Sequence, residues 1–574
     1  MIRPNAAAVC VGLAIAIVSC APAGTRSPGG SLSAPATSDE GSRSRTLELA
    51  VKLEPVGMAP KLQVGQNNTR TARRLVSAYE AIKDDRGMPH PYLAEALPQL
   101  GTDSWVVNSD GTMETTYRLR PNLTWHDGIP LTPEDFIFAL QVYTDPQTGV
   151  LFSATPEDQI ADVLGPDERT VVIRWRSLYP DAGALDMNDF PPLPRHILES
   201  QFQSDKGDAF VNHPYWNRQY VGLGPYRLVR WEPGAFMDLE AFENHAGGRA
   251  KIGRVHLRWI DDPNTSLAAL LSGDVQVATN NSIDFEQGRV LQQAWGATGG
   301  QVLVSAREAR FIQVQFSPQF NATPALLDPQ VRKALAFSLD KQALVDGLLS
   351  GEGQIAETLV SPQMPYYDAL LAAIARYPYD PRRAEQLMGQ AGFAKGGDGW
   401  YADASGTHFN PEFRAFGGGQ EERELAIMVD GLRRTGMEVV PNVVPAVYSR
   451  DVQIRASFPA LHANVTQLPE RTVFQKLYSY GIPTAANHWS GFNRGAWSDP
   501  AFDQLTVAFD TTLDRDERNQ QMIQMMQIVA EVVPVIPLFY NLDAVAVTSA
   551  VAGPTTSAPD TTREWNVQDW RWTG

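Results

Sequence analysis

The most informative stretch of the sequence, residues 118–135, reads RLRPNLTWHDGIPLTPED. The residues entering it alternate between apolar and polar, which is typical of a half-buried strand. Within the stretch, Asp127-Gly128 is a turn dipeptide, and Trp125 can anchor the loop in a hydrophobic core. Thr132-Pro133 predicts the start of a helix, with a side-chain cap and a proline in the first turn. The stretch therefore predicts a strand, an anchored turn and a helix in direct succession.

The surrounding sequence predicts a mixed α/β protein. Period-two alternation indicates strands at 47–51, 117–119 and 255–259. Helical spacing of apolar residues occurs at 384–391, 425–432 and 522–529, and each run is followed by Gly or Pro. The methionines of the last run indicate packed core more than an adaptable binding surface. A buried strand entered through prolines is expected at 532–540.

Length and charge exclude several classes of protein. A chain of 574 residues is too long for one core, since domains usually span roughly 100–200 residues. Its 43% hydrophobic and 20% charged residues exclude collagen-like, coiled-coil and wholly disordered chains. The formal charge of −17 argues against a nucleic-acid partner. Two cysteines are too few for a disulfide scaffold or a cysteine-ligated metal site.

The first 45 residues read as an export signal and a tether. Arg3 is followed by an apolar run at 6–18, too short to span a bilayer and typical of a signal peptide at 1–19. The end of that run resembles a bacterial lipobox, which predicts lipidation of Cys20 and anchoring to the membrane. An ordinary signal peptide with a chance cysteine is the alternative. Residues 20–45, rich in Pro, Gly and Ser, are expected to form a disordered tether.

No catalytic or metal-binding pattern stands out. The sequence contains no P-loop, no G-x-S-x-G elbow and no H-E-x-x-H helix. No two of its nine histidines lie within four residues of each other, although scattered ligands could still converge in space. We therefore expect no enzymatic activity, no metal and no cofactor.

Residues 118–135 resemble a motif of the extracellular solute-binding protein family 5, the dipeptide/oligopeptide-type receptors of ABC importers. That family has W-x-D-G-x-P-[LF]-T-[AP]-x-D-V after a strand, and the residues here match it closely. Further similar motifs follow in the family's order at Tyr79-Glu80 with 91–95, 192–198, 222–226, 262–275, 332–341 and 379–384. Tyr79-Glu80 is interpreted as the start of a helix. Leu223 departs from the family pattern, which usually has Thr there. The resemblance extends over roughly residues 46–540.

The resemblance implies an α/β fold, a two-lobed periplasmic-binding-protein clamshell of the large type II-like form, with mixed sheets flanked by helices. Lobe one is expected at 46–305 plus 534–574, including an extra subdomain at about 80–220, and lobe two at 306–533. Strands near 304–316 and 532–540 would form the hinge. Solute would bind between the lobes, and closure would present the loaded receptor to a permease.

The ligand is less well defined than the fold. Peptide-binding members hold the ligand's α-ammonium on an Asp after a lobe-two strand, and the corresponding stretch here, 460–470, contains no Asp. A buried ammonium needs a compensating anion. We therefore expect that free-amine recognition of the standard kind is not used, and that the solute is a modified peptide, a sugar or another polar molecule. Ligand contacts are expected from Asn67, Asn68, Phe416, Gly417, Gln420, Asn464, His488, Trp489, Asn493 and Trp497.

The sequence-level hypothesis is a monomeric, lipid-anchored extracytoplasmic receptor that binds a peptide-like or other polar organic solute. Its other partners would be ABC permease subunits, and it would act on the periplasmic side or the outer face of the plasma membrane. A sensor or chaperone on the same scaffold is the first alternative, and a secreted hydrolase with an unrecognised site is the second.

Overall fold

The computed structural model describes residues 45–59, 61, 70–148, 155–297, 299–559 and 561–574. The predicted signal peptide, Cys20, nearly all of the tether, and Asn67 and Asn68 lie outside these residues. Within them, no helix is both long enough and apolar enough to cross a membrane.

Helices and strands alternate along the chain, as expected for an α/β protein. The helices are α1 (Arg70–Val76), α2 (Pro133–Thr144), α3 (Arg195–Ser204), α4 (Asp208–Val211), α5 (Pro263–Ser272), α6 (Phe285–Trp295), α7 (Pro329–Phe337), α8 (Lys341–Leu349), α9 (Tyr367–Ala373), α10 (Pro381–Gln390), α11 (Gln420–Arg434), α12 (Val452–Ala456), α13 (Glu470–Phe474), α14 (Pro500–Thr511) and α15 (Arg515–Val532). The strands are β1 (Thr46–Val51), β2 (Ala81–Lys83), β3 (Pro89–Pro91), β4 (Trp105–Val107), β5 (Met113–Arg118), β6 (Ile160–Asp167), β7 (Thr170–Trp175), β8 (Tyr226–Glu232), β9 (Phe236–Ala241), β10 (Arg254–Trp259), β11 (Val277–Ala278), β12 (Gly300–Val314), β13 (Ala394–Lys395), β14 (Tyr401–Ala402), β15 (Glu412–Phe416), β16 (Val440–Val444), β17 (Leu461–Gln467), β18 (Val535–Thr548), β19 (Val551–Ala552) and β20 (Arg571–Trp572). The helices predicted from 384–391, 425–432 and 522–529 are confirmed as α10, α11 and α15.

One large mixed sheet organises the molecule, with strand order β16-β15-β17-β12-β18-β11-β1-β10-β9-β8. β12 and β18 are its longest strands, and they pair antiparallel along most of their length. The end of β12 pairs with β17, whereas the end of β18 pairs with β11. These two strands therefore join the half of the sheet that holds β1 and β8–β11 to the half that holds β15–β17. The lobe boundaries stay predictions.

A separate four-stranded sheet, β4-β5-β7-β6, packs with α2 and α3 over a core rich in aromatic residues. Asp135 connects three segments there, since its carboxylate accepts hydrogen bonds from the backbone N–H groups of Thr132 and Arg195 (both 3.0 Å) and from Trp125 Nε1 (3.3 Å). The buried Trp125 anchors the loop, and the helix begins at Pro133, as the motif at 118–135 predicts. The motif is therefore a structural junction.

A second motif is explained by close packing. A Cβ atom at Gly222 would lie 2.0 Å from the carbonyl oxygen of Val76, and one at Gly224 would lie 2.3 Å from the backbone nitrogen of Ser77. The chain at 222–224 therefore passes the end of α1 at a distance that only glycine allows. Leu223 between them is buried, so the departure from the family's Thr fills a core position.

The interpretation of Tyr79-Glu80 as the start of a helix is wrong. Helix α1 has already ended at Val76, and the chain enters the short strand β2 instead. The carbonyl oxygens of Tyr79 and Glu80 accept hydrogen bonds from the N–H groups of Leu93 and Tyr92 (3.0 and 2.9 Å). Pairing with the segment after β3 satisfies these backbone groups, so the local helical tendency is overridden.

Candidate ligand-binding cavity

A polar cavity of about 370 Å³ lies where the two halves of the large sheet meet. That volume is within the range of small-molecule sites, roughly 300–1,000 Å³. Its walls come from the segments after β1 and β11, from α1, from the middle of β12 and β18, from the end of β17 and from the C-terminal segment. The lining residues are Lys52, Leu53, Arg70, Thr71, Thr279, Asn280, Asn281, Arg307, Glu308, Gln467, Asn541, Leu542, Asp543, Pro559, Thr562, Arg563 and Glu564.

Local backbone irregularities bring several of these side chains to the cavity. The pairing of β12 with β18 shifts register between Ala306 and Glu308, so Arg307 is the extra residue of a bulge. Bulges re-aim side chains, and Arg307 donates hydrogen bonds to Ser557 Oγ and the Thr561 carbonyl oxygen (both 3.3 Å). Asn280 and Asn281 have positive φ values of 50° and 61°, a turn that ends the β11 segment at the cavity wall.

The cavity wall contains buried charges. Arg563 donates to Asp543 (2.8 Å) and to Ser305 Oγ (2.7 Å), while its buried Nε and Nη1 make no hydrogen bond with the described residues. Glu564 is buried and accepts from Thr71 Oγ1 (3.2 Å), and burial raises its pKa. Burial also lowers the pKa of Arg307 to about 10, with the Arg563 charge adding to the effect. A wall of this kind favours a polar solute with groups of both signs.

A group of basic side chains lies outside the cavity lining but within electrostatic range of the lining residue Glu308. Lys476, which follows α13, is buried. The charges of Arg494 and of Arg455 on α12 lower its pKa. Among the acidic groups, it is the charge of the lining residue Glu308 that acts on Lys476. We call Lys476, Arg455 and Arg494 the cation cluster. Sequence analysis missed it because its members lie on three separate segments.

A salt-bridge network connects the predicted subdomain to helices of the 306–533 segment. Arg471 of α13 pairs with Asp181 and with Asp510 of α14 (both 2.9 Å), and Arg518 of α15 also pairs with Asp181 (3.2 Å). The guanidinium of Arg471 lies over the ring of Tyr179, 5.4 Å from its centroid. Burial acts to raise the pKa of Asp181, but the charges of Arg471 and Arg518 hold it at about 2. We call Asp181, Arg471, Asp510 and Arg518 the clasp.

The described residues of the predicted ligand set do not line the cavity. Gln420 comes nearest, since its Nε2 donates to Oδ1 of the lining residue Asn541 (3.0 Å). Asn464 is buried on β17 and donates to Gln313 Oε1 (2.9 Å). Phe416 packs edge-on against His462, and the Gly417 N–H donates to the Val444 carbonyl oxygen. Their contact with a ligand stays a prediction.

The remaining predicted residues lie in the 488–497 segment. His488 and Trp489 occupy an outer turn with positive φ values of 54° and 60°. Asn493 is fully buried, and its Nδ2 donates to the carbonyl oxygens of Leu477, Tyr478 and Trp497 (2.9, 3.0 and 2.7 Å). These bonds hold the segment in place and carry Arg494 into the cation cluster.

The stretch 460–470 brings an amide rather than a carboxylate to the cavity. Its last strand residue, Gln467, is part of the lining. Glu470 has other partners, since it accepts from the Tyr366 hydroxyl (2.6 Å) and pairs with Arg515 (3.0 Å). In the part of the chain that the structure describes, no three His, Cys, Asp or Glu side chains are arranged to hold a metal ion.

Comparison with known proteins places this architecture in a family. Residues 90–476 match the family described as bacterial extracellular solute-binding proteins, family 5 Middle. A putative ABC transporter peptide-binding protein of Brucella ovis is 28% identical over 322 residues, 56% of this chain and 55% of that protein. The oligopeptide-binding protein AppA of Bacillus subtilis is 23% identical over 377 residues, 64% of this chain and 66% of AppA. The match thus spans about half the length of the first of these relatives.

The fold comparison covers more of the chain. The structure of NikZ from Campylobacter jejuni in complex with Ni(L-His) has a TM-score of 0.71 and 23% identity, and the alignment covers 92% of this chain and 99% of NikZ. The expected two-lobed clamshell fold is therefore confirmed. With the family match spanning more than half of its residues, this chain belongs to the bacterial extracellular solute-binding proteins, family 5.

Proposed function

We propose that this chain is an extracytoplasmic receptor that holds a polar organic solute, peptide-like or other, in the 370 Å³ cavity and delivers it to an ABC permease. The position of the cavity carries the proposal, because its walls come from both halves of the large sheet. A solute that touches both walls binds the closed arrangement better than the open one, and this difference in affinity is what drives closure.

The names of the relatives limit the class of solute but do not identify the solute. The Brucella ovis relative is named for peptides and AppA for oligopeptides, while the NikZ structure holds a nickel–histidine complex. Glu308 gives this cavity a carboxylate from β12, whereas the 460–470 stretch contributes the amide of Gln467. Asp543 and Glu564 also line the cavity but already accept from Arg563 and Thr71, so a solute amine would pair with Glu308.

The proposal includes the anchoring and the division into lobes. Cys20 would carry the lipid, the 20–45 segment would tether the folded part to the membrane, and the receptor would act as a monomer. Lobe one would consist of 46–305 and 534–574, and lobe two of 306–533. The clasp supports a closing motion between the 80–220 subdomain and lobe two, because its ion pairs join these two parts. We propose that no bond of the solute is broken.

Mass spectrometry of the purified protein, first native and then denatured, tests the function. The expected result is one small molecule per chain that is released on denaturation. A ladder of unmodified short peptides would support peptide transport and would contradict the argument from 460–470. A protein without bound solute that also fails to bind any member of a peptide, sugar and organic-acid panel would contradict the receptor function.

A further inference from the structure

The cation cluster is enclosed by protein but has no acidic partners. Lys476 and Arg494 expose only 7% and 6% of their surface, and Arg455 is partly buried. In the part of the chain that the structure describes, no carboxylate oxygen lies within 4 Å of their side-chain nitrogens. The negative charge of Glu308 acts on the pKa of Lys476, and that of Glu421 acts on the pKa of Arg455, but neither carboxylate forms an ion pair with the cation.

The hydrogen-bonding groups of the cluster are also unused. The Nζ atom of Lys476 lies over the ring of Phe492, 5.1 Å from its centroid, and makes no hydrogen bond with the described residues. Arg494 Nη1 and Arg455 Nε are buried and have no hydrogen-bond partner in the described part of the chain. Buried cationic groups without partners are costly, so such groups are usually paired or bind a ligand.

Three other buried cations in this protein have carboxylate partners. Arg310 pairs with Glu424 (2.6 Å), Lys341 with Glu357 (3.2 Å) and Lys61 with Glu157. The cation cluster differs from all three, and the acidic charge that reaches Lys476 is that of Glu308, a residue of the cavity wall. The compensating negative charge is therefore expected from a molecule that enters the cavity.

We infer that Lys476, Arg494 and Arg455 bind an anionic group of the solute, a carboxylate or a phosphate. This inference rests on the proposed receptor function and narrows its substrate class to acidic solutes. Two guanidinium groups and an ammonium offer several N–H donors to one oxyanion, and charge-assisted bonds of this kind are short and strong.

The surroundings of the cluster fit this role. Burial, together with the charges of Arg494 and Arg455, lowers the pKa of Lys476 to about 7, and the charge of Glu308 only partly opposes this. Burial lowers the pKa of His462 on β17 to about 3, so this side chain is neutral and adds no charge of its own. An incoming anion would relieve the repulsion among the three cations, and this relief favours binding of the acidic form over a neutral analogue.

The test is a titration of the full-length protein, freed of co-purified solute, with three probes. These are a tripeptide with a free C-terminal carboxylate, the same tripeptide as its carboxamide, and inorganic phosphate. The carboxylate form is expected to bind about tenfold or more tighter than the carboxamide. In Lys476→Met and in Arg494→Gln this preference should fall to about twofold or less, and phosphate binding should be lost. Arg434→Gln, an exposed cation of α11 paired with Asp430, removes the same charge and should leave binding unchanged.

Each outcome decides the inference. Saturable binding of phosphate alone, sensitive to Lys476→Met, would support the anion site with a phosphate-bearing solute. Equal affinity for carboxylate and carboxamide, or a preference that survives both substitutions, would overturn it while leaving the receptor function intact. Failure of every probe to bind overturns the anion site, and the receptor function falls with it only if mass spectrometry also finds no solute. Thermal unfolding of each variant verifies that it is folded.

Discussion

The clasp and the cation cluster are both built from basic side chains of the 452–518 segment, and they differ in how those charges are compensated. In the clasp, Arg471 and Arg518 each have a carboxylate partner within 3.2 Å. In the cation cluster, neither Lys476 nor Arg494 forms an ion pair with the described residues. A paired network stabilises a particular arrangement of the chain, whereas an unpaired buried group is poised to bind a charge from outside. The difference separates a structural contact from a binding site.

The largest expected effect comes from removing the closest carboxylate partner of a buried cation. Glu424→Gln removes the carboxylate that contacts Arg310 at 2.6 Å, where both side chains are at least 95% buried. The free energy of unfolding should fall by about 3 kcal/mol, because the buried Arg310 keeps only the longer contact with Glu421 (3.4 Å). Urea denaturation measures this. Glu422→Gln, at an exposed position of the same helix, should change it by no more than about 0.5 kcal/mol. If Glu424→Gln also lowered the free energy of unfolding by no more than about 0.5 kcal/mol, pairing would not matter for these buried cations.

The opposite change in the cation cluster should stabilise the ligand-free protein. Lys476→Met removes a buried charge that has no carboxylate partner among the described residues, and replaces it by an apolar side chain of similar length. We expect the free energy of unfolding to rise by about 1–2 kcal/mol, which thermal unfolding would detect as a higher Tm. A variant less stable than the wild type would mean that Lys476 has a structural role, and the comparison with the clasp would fail.

Breaking the clasp should have a smaller effect. In Asp181→Asn, Arg471 and Arg518 lose one partner, but Asp181 is 38% exposed and Arg471 is 29% exposed, so solvent screens the interaction. We expect a loss of about 1 kcal/mol in stability, and less in high salt. Solute affinity should fall by a few-fold, because the closed arrangement is weakened. Glu199→Gln, which breaks the surface pair with Arg195, should leave solute affinity unchanged.

The unpaired state of Lys476 in the cation cluster also predicts how stability depends on pH. The pKa of Lys476 is lowered to about 7 in the folded protein by burial and by Arg494 and Arg455, against about 10.4 for an unfolded lysine. Between these values the unfolded chain binds more protons, so the contribution of Lys476 to stability rises with pH. The advantage of Lys476→Met over the wild type should therefore be greatest below about pH 7 and shrink towards pH 10. A constant difference across this range, measured by urea denaturation, would contradict the depressed pKa.

The fold was largely predictable because its determinants are local. Helix α10 begins after Asp380 with Pro381 at its first position, and strand β1 occupies Thr46–Val51, where the alternation at 47–51 predicts a strand. The wrong helix prediction at Tyr79-Glu80 is also informative. The backbone of these two residues pairs with residues 92–93, and nothing in the two residues themselves indicates that pairing. Backbone pairing with a segment more than ten residues away decided that structure.

The site was less predictable because charge compensation is a property of three-dimensional neighbours. Arg471 and Arg494 look alike in the sequence, yet Arg471 is paired with two aspartates, whereas Arg494 is buried and has no acidic partner where the structure describes the chain. Composition gives the net charge but not which carboxylate reaches which cation. The sequence did carry one useful signal, the absence of Asp at 460–470, and the structure adds that Gln467 occupies the cavity wall there.

The most direct test of the account is a crystal structure of the protein with the solute that co-purifies with it. We expect the body of the solute in the cavity between β12, β18 and the segment after β1, with an anionic oxygen within hydrogen-bond distance of Lys476 Nζ. A solute bound elsewhere, or one in the cavity with a neutral group facing Lys476 and Arg494, would contradict the assignment.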